Sequence, residues 1–164
     1  MGKKEAPLDG ITVGLIADTH GLLRKEALAA LAGVERILHA GDIGGPEVIA
    51  GLERIAPVVA VRGNCDRGEW AGAYPETEVV AVGGVLIYLL HDLHRLDLDA
   101  GAAGFRAVVS GHSHQAASAE RDGVLYINPG SAGPRRFKLP VSLALLRIDD
   151  GTLRVEWIRL PEQV

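Results

Sequence analysis

Apolar residues in this chain come in short runs, and most runs stop at Asp, Asn, Gly or His. Residues 11–17 form a nearly continuous apolar stretch that ends at Asp18, the pattern of a strand covered on both faces. Residues 24–31 follow as a helix, with Leu28 and Leu31 turned inward and Gly33 as its stop. A second strand over 36–39 leads into Gly41-Asp42. Pro46 suits the first turn of the next helix, which carries Val48, Ile49, Leu52 and Ile55 on one side. A third strand over 58–61 runs into Gly63-Asn64. This β-α-β-α-β order predicts parallel strands joined by right-handed crossovers. Runs over 77–82 and 85–90, joined by Gly83-Gly84, predict a hairpin whose second strand ends in His91-Asp92. A short helix is expected over 96–103, then a strand over 106–110 that ends in Gly111-His112-Ser113-His114. The remainder reads as strands over 116–121, 124–127, 141–148 and 153–160, with turns at Asp122-Gly123 and Asp149-Asp150-Gly151. The fold class expected is mixed α/β: one domain over 11–164, after a loose segment over 1–10.

Composition narrows this picture. The chain has 164 residues and is 48% hydrophobic, which suits a single globular domain with a real core. Aromatic residues are only 4%, so Val, Leu, Ile and Ala fill that core. Net charge is −4 with no basic stripe, which argues against non-specific nucleic-acid binding. The longest apolar run, 79–90, is broken by two glycines and is too short to span a membrane. The single cysteine, Cys65, cannot build an internal disulfide framework. With no apolar signal core near the N-terminus, a cytoplasmic protein is expected.

The chemistry gathers where the strands stop. Five expected strands end in metal-capable groups: Asp18 with His20, then Asp42, Asn64, His91, and His112 with His114. In open α/β sheets, ligand sites form outside the carboxyl ends of the strands. Four imidazoles, two carboxylates and one amide exceed what one ion with an open position needs, so two ions sharing a carboxylate are expected. Asp42, in a tight Gly41-Asp42 turn, is the expected bridge. Two ions ~3.5–4 Å apart are a recurring arrangement for phosphoester hydrolysis. Imidazole and oxygen donors without thiolate suit manganese first, with iron, zinc or nickel as alternatives, and suit calcium less.

The ordered series Asp18-x-His20, Gly41-Asp42, Gly63-Asn64, His91 and Gly111-His112-x-His114 resembles the calcineurin-like metallophosphoesterases. The short length, Gly63-Asn64-Cys65-Asp66 and Asn128-Pro129-Gly130-Ser131 are similar to the small prokaryotic YfcE-type phosphodiesterase branch. The resemblance runs from Ile11 to Arg136. It implies an αββα sandwich of two mixed β-sheets flanked by helices. It implies that Asp18, His20, Asp42 and His114 hold a first metal and that Asp42, Asn64, His91 and His112 hold a second. The activity it implies is hydrolysis of a small phosphodiester or nucleotide-like substrate by a water or hydroxide between the two cations. The alternative is a non-catalytic protein-interaction scaffold of the same fold, as in a eukaryotic retromer subunit.

Two positions depart from the family pattern. Larger relatives carry a histidine after Gly-Asn as the candidate proton donor; here Cys65 stands there, which leaves Asn64 and Asp66 as the nearby catalytic candidates. Many relatives have His-Gly at the fourth motif, and here it is His91-Asp92. Asp92 reads as a solvated loop residue or as an orienter of an imidazole. His39 reads as a buried, hydrogen-bonded histidine, and His94 as an exposed one. Arg24, Arg67, Arg135 and Arg136 are candidate phosphate contacts. Apolar strands in the second half offer a surface for a homodimer.

Overall fold

A computed structural model describes residues 10–162. The loose segment expected over 1–10 lies outside them, apart from Gly10, which opens the first strand. In chain order the elements are β1 (Gly10–Ile16), α1 (Lys25–Ala30), β2 (Arg36–His39), α2 (Pro46–Glu53), β3 (Val58–Ala60), β4 (Thr77–Val82) and β5 (Val85–Leu90). They continue with β6 (Phe105–Val109), β7 (Ala117–Arg121), β8 (Val124–Asn128), β9 (Ser142–Asp149) and β10 (Thr152–Arg159).

The strands form two five-stranded sheets, ordered β10-β9-β1-β2-β3 and β4-β5-β6-β8-β7. β1, β2 and β3 are parallel, as the β-α-β-α-β pattern requires, and the β9–β10 hairpin joins antiparallel to β1. In the second sheet β5, β6 and β8 are parallel, while β4 and β7 close the edges antiparallel. Val13, Leu15, Ala17 and Leu38 from one sheet meet Ile87, Leu89, Ala107 and Val109 from the other in a dry interior. The opposite face of the first sheet buries Ile16 and Ile37 against Leu31, Val48, Ile49 and Leu52 of the helical layer. Both faces of β1 are therefore covered, which is why its sequence is apolar throughout. Each large aliphatic side chain so buried contributes roughly 1.5–3 kcal/mol.

The outer face of the second sheet has a different cover. Leu93, Leu96, Leu98 and Ala100 pack on Tyr88, Leu90, Phe105 and Val108, but they do so from a non-α-helical segment. The helix expected over 96–103 does not form; a 3₁₀ turn at Leu93–Arg95 and one later turn take its place. Asp99 explains the second turn. Its carboxylate accepts the Ala102 N–H at 3.1 Å and its carbonyl accepts the Ala103 N–H at 2.9 Å, and Gly104 at φ 92° then breaks the chain away.

Candidate metal centre

The carboxyl ends of β1, β2, β3, β5 and β6 open on one side of the sandwich, and the loops that follow are laced together. Asp18 N–H donates to the Gly41 carbonyl at 2.9 Å, and His20 N–H to the Asp42 carbonyl at 2.9 Å. At the end of the second sheet, Gly111 N–H donates to the His91 carbonyl at 2.9 Å, and between the sheets His112 N–H donates to Asp18 Oδ2 at 3.0 Å. In these loops Asp18, His20, Asp42, His112 and His114 all have φ between 47° and 74°. Residues with a Cβ rarely adopt that left-handed region, and it recurs where a chain turns abruptly to aim a side chain.

The seven side chains expected to bind metal come together. Asp18 Oδ1 lies 3.5 Å from His114 Nε2 and 3.9 Å from both His20 Nε2 and His91 Nε2. Asp42 Oδ2 lies 3.3 Å from His91 Nε2 and 3.8 Å from His20 Nε2. Asn64 Oδ1 is 3.0 Å, and His112 Nδ1 3.3 Å, from His91 Nε2. Three buried polar atoms here have no hydrogen-bond partner among the described residues: Asp18 Oδ1, His20 Nε2 and His114 Nδ1. Unsatisfied buried atoms of this kind are costly in a protein alone. A cation supplies what they lack. The donor set fits one: oxygen and imidazole atoms of Asp18, His20 and His114, and of Asp18, Asp42 and His91, each lie within 4.8 Å of one another.

Protonation is set by fixed contacts. His91 Nδ1 lies 2.7 Å from the Ala40 carbonyl, so that nitrogen carries the proton and donates it. Nε2 then faces Asn64 Oδ1 and Asp42 Oδ2, both acceptors. Only a second proton or a cation satisfies that arrangement. Burial lowers the His91 pKa, but the Asp42 bond and charge, the Asp18 charge and the Ala40 carbonyl outweigh it and raise the net value. Burial raises the Asp42 pKa, but bonds from His91 and the Cys65 N–H pull it well below the carboxylate range. His20 is lowered by burial, against the Asp42 and Asp18 charges and with those of Arg136 and His114. Cys65 is exposed, yet local desolvation and then the Asp42 charge push its thiol up. An un-ionised thiol is a poor nucleophile.

Other candidates fall elsewhere. Asp66 is buried, and its carboxylate accepts the N–H groups of Ile43 and Gly44 at 3.0 Å and of Gly63 at 2.8 Å. It ties the loop after β2 to the loop after β3 and presents no free oxygen as an acid. Asp92 accepts the His94 N–H at 3.0 Å and stands 3.9 Å from His112 Nε2, so it caps the 3₁₀ turn and faces a candidate ligand. His94 is exposed. Arg24 is buried and its guanidinium donates to the Ala132, Gly133 and Pro161 carbonyls. The Asn128–Ser131 turn props the site through side chains: Asn128 Nδ2 donates to the Gly111 carbonyl at 2.9 Å, and Ser131 Oγ to the Asp18 carbonyl at 3.0 Å. An open cavity of about 350 Å³ beside Asn64 and His91 is bordered by Arg62, Tyr88 and Arg95. Polar residues that serve only loops, as Asp66 does, carry no pattern that periodicity could reveal.

Comparison with known proteins adds three findings. The family model of the calcineurin-like phosphoesterase superfamily domain matches residues 11–151. A probable metallophosphoesterase of Methanothermobacter thermautotrophicus is 33% identical over 162 residues, covering 90% of this chain and 91% of that protein. Among solved structures, a novel archaeal phosphodiesterase shares the fold with a TM-score of 0.78 at 24% identity, over 92% of this chain and 100% of its own. Wild-type Vps29 of Entamoeba histolytica, solved in complex with zinc, does so with a TM-score of 0.68 at 24% identity, over 91% and 99%.

Proposed function

This chain belongs to the calcineurin-like phosphoesterase superfamily, and from that premise we propose that it hydrolyses phosphodiesters with two divalent cations. The observation that carries this reading is the trio of buried atoms on Asp18, His20 and His114 without a hydrogen-bond partner among the described residues, set beside an Asp42 carboxylate 3.8 Å from His20 Nε2 and 3.3 Å from His91 Nε2. Asp18, His20, Asp42 and His114 would hold one cation, and Asp42, Asn64, His91 and His112 the other, with manganese the first choice. Bound there, the cations supply Lewis acidity, which acidifies water and offsets charge on the phosphate.

The chain's own groups do the rest. The Ala40 carbonyl fixes the His91 tautomer and keeps Nε2 aimed inward. The His112 N–H holds Asp18 Oδ2 at 3.0 Å, and the Cys65 N–H holds Asp42 Oδ1 at 2.8 Å, so each carboxylate keeps its other oxygen for the site. Asn64 is exposed, with its amide at the mouth of the 350 Å³ cavity, where it reaches a substrate oxygen. Asp66 positions the two loops. With Asp66 engaged by three backbone N–H groups and the Cys65 thiol made a weaker acid by its surroundings, neither is set to protonate a departing alkoxide, so esters with good leaving groups are the better substrates.

The test is hydrolysis of bis-p-nitrophenyl phosphate. Chelation is expected to abolish it and added manganese to restore it. Asp42→Ala is expected to remove both metals as measured by elemental analysis; loss of only one would show that Asp42 does not bridge. Activity indifferent to chelation would exclude the metal mechanism. A protein that binds manganese yet hydrolyses no phosphoester would favour the scaffold reading, which the shared fold with Vps29 keeps in view.

A further inference from the structure

The four arginines that sequence alone leaves equivalent are separated by the structure. Arg24 is buried in the fold, and Arg67 is exposed, with no hydrogen-bond or ion-pair partner for its side chain among the described residues. Arg135 is spent on its own loop: Nε donates to the Leu139 carbonyl at 3.3 Å, Nη2 to the Lys138 carbonyl at 3.2 Å, and Nη1 pairs with Glu162 at 3.4 Å. Arg136 is set apart by its neighbour in the chain, Phe137, whose ring lies beside His114. Its guanidinium is exposed and has no hydrogen-bond or ion-pair partner among the described residues. Its loop borders His114, whose ring centroid lies 5.5 Å from that of His20.

The neighbouring residue points the same way. Phe137 is 78% exposed, more than any other large apolar side chain described. Its ring lies edge-on to His114, with centroids 6.1 Å apart. Phe137 and Lys138 both sit in the left-handed region, at φ 56° and 58°. Two such residues in succession are held by the Arg135 clamp and by the Leu139 N–H on the Arg136 carbonyl at 2.9 Å. The loop thus keeps an unpaired cation and an unburied aromatic face at the His20–His114 side of the centre. Neither contributes to a core, and an exposed Phe in a strained turn has no folding rationale.

We infer that Arg136 and Phe137 form the substrate-holding arm of this centre, with Arg136 binding a non-bridging phosphate oxygen and Phe137 stacking on a planar ester group. The inference rests on the phosphodiesterase reading and narrows it to esters of aryl alcohols or nucleosides. A guanidinium matches a phosphate with paired N–H groups, and an aromatic face accepts any flat ring without reading its identity.

The experiment measures binding by calorimetry on the manganese-loaded protein, with phenylphosphonate and methylphosphonate as probes that cannot be turned over. Arg136→Met is expected to weaken both by about tenfold, the loss of one charge-assisted contact. Phe137→Ala is expected to weaken phenylphosphonate by about three- to tenfold and to leave methylphosphonate unchanged. Metal content and denaturation midpoint should stay at the wild-type level in both variants, since neither side chain packs in the core. Unchanged affinities in Arg136→Met would overturn the arginine's part, and equal effects of Phe137→Ala on the two probes would overturn stacking. A wild-type protein that binds neither probe would overturn both. Failure to hydrolyse any diester would instead count against the phosphodiesterase reading, and the phosphonate affinities would still decide this one.

Discussion

At His39 each ring nitrogen has a fixed task. Nδ1 accepts the Gly41 N–H at 3.1 Å, so Nε2 carries the proton and donates to Thr19 Oγ1 at 2.9 Å; Thr19 in turn donates to the Ile43 carbonyl at 2.8 Å. The ring is fully buried, and burial, opposed by the Asp66 charge, lowers its pKa to about 3. The sign of the linkage follows. Unfolded, His39 titrates near pH 6.5; folded, near 3. Between those values the unfolded chain binds the extra proton, so stability falls as pH drops, by up to ~1.4 kcal/mol per pH unit. Urea denaturation of metal-free protein from pH 6 to 4.5 should therefore show a shallower acid slope in His39→Gln than in wild type. Equal slopes would mean that other groups carry the acid limb. At this scale much was legible from the chain. His39 in a strand reads as buried because an apolar run surrounds it, and each candidate ligand stands out as a polar residue at the end of such a run. Asp66 is legible only as a catalytic candidate beside Asn64, and Arg136 only as one of four equivalent arginines; their roles are not. A carboxylate that serves three backbone N–H groups looks like any loop aspartate, and a guanidinium gains meaning only from what lies opposite it in space.

The elements hold the site by bringing their trailing loops into backbone contact. Gly21 N–H donates to the Ile43 carbonyl at 2.8 Å, and Gly44, at φ 95°, lies so close that a Cβ on it would overlap the backbone of His20 and Gly21. Gly123 has a similar φ of 80° but nothing within 4 Å of where its Cβ would stand. Gly44→Ala should therefore cost about 2–4 kcal/mol, from backbone strain and overlap together. Gly123→Ala should cost only the conformational part, roughly 1–2 kcal/mol. Chemical denaturation of the two variants checks this, and equal losses would deny any special closeness of the β1 and β2 loops. Strands were more readable than helices here because alternation and buried runs mark them over five or six residues. The segment over 96–103 shows the limit: Leu96, Leu98 and Ala100 are spaced to cover a sheet, but Asp99 captures local N–H groups and Gly104 ends the turn, so an apolar face forms without a helix.

Across the whole molecule, the two sheets converge on a centre that is unfavourable without a cation. Asp18 and Asp42 bring two carboxylates to one histidine nitrogen, five of the seven candidate ligands sit at positive φ, and three buried atoms lack partners among the described residues. The interior of Val13, Leu15, Leu38, Ile87, Leu89 and Val109 and the helical layer on the first sheet sustain that arrangement. The folded array gathers donors that the unfolded chain spreads over positions 18–114, so a divalent cation held there would favour the folded state. Manganese should therefore raise the denaturation midpoint of chelated protein, by about 2.7 kcal/mol of stability at a hundred times its dissociation constant. His91 adds a second readout. Its folded pKa is raised above 6.5, so in metal-free protein its extra proton contributes stability below that pH, which is lost as pH rises through the raised value. Below that raised value the ring holds its second proton, and a cation that takes Nε2 must displace it. Titration of manganese into chelated protein in buffers of different ionisation enthalpy should show proton release at pH 6.5 that diminishes as the pH rises through the raised His91 value. A midpoint shift without proton release would mean that the metal binds away from His91, and the sharing of donors between two cations would have to be given up.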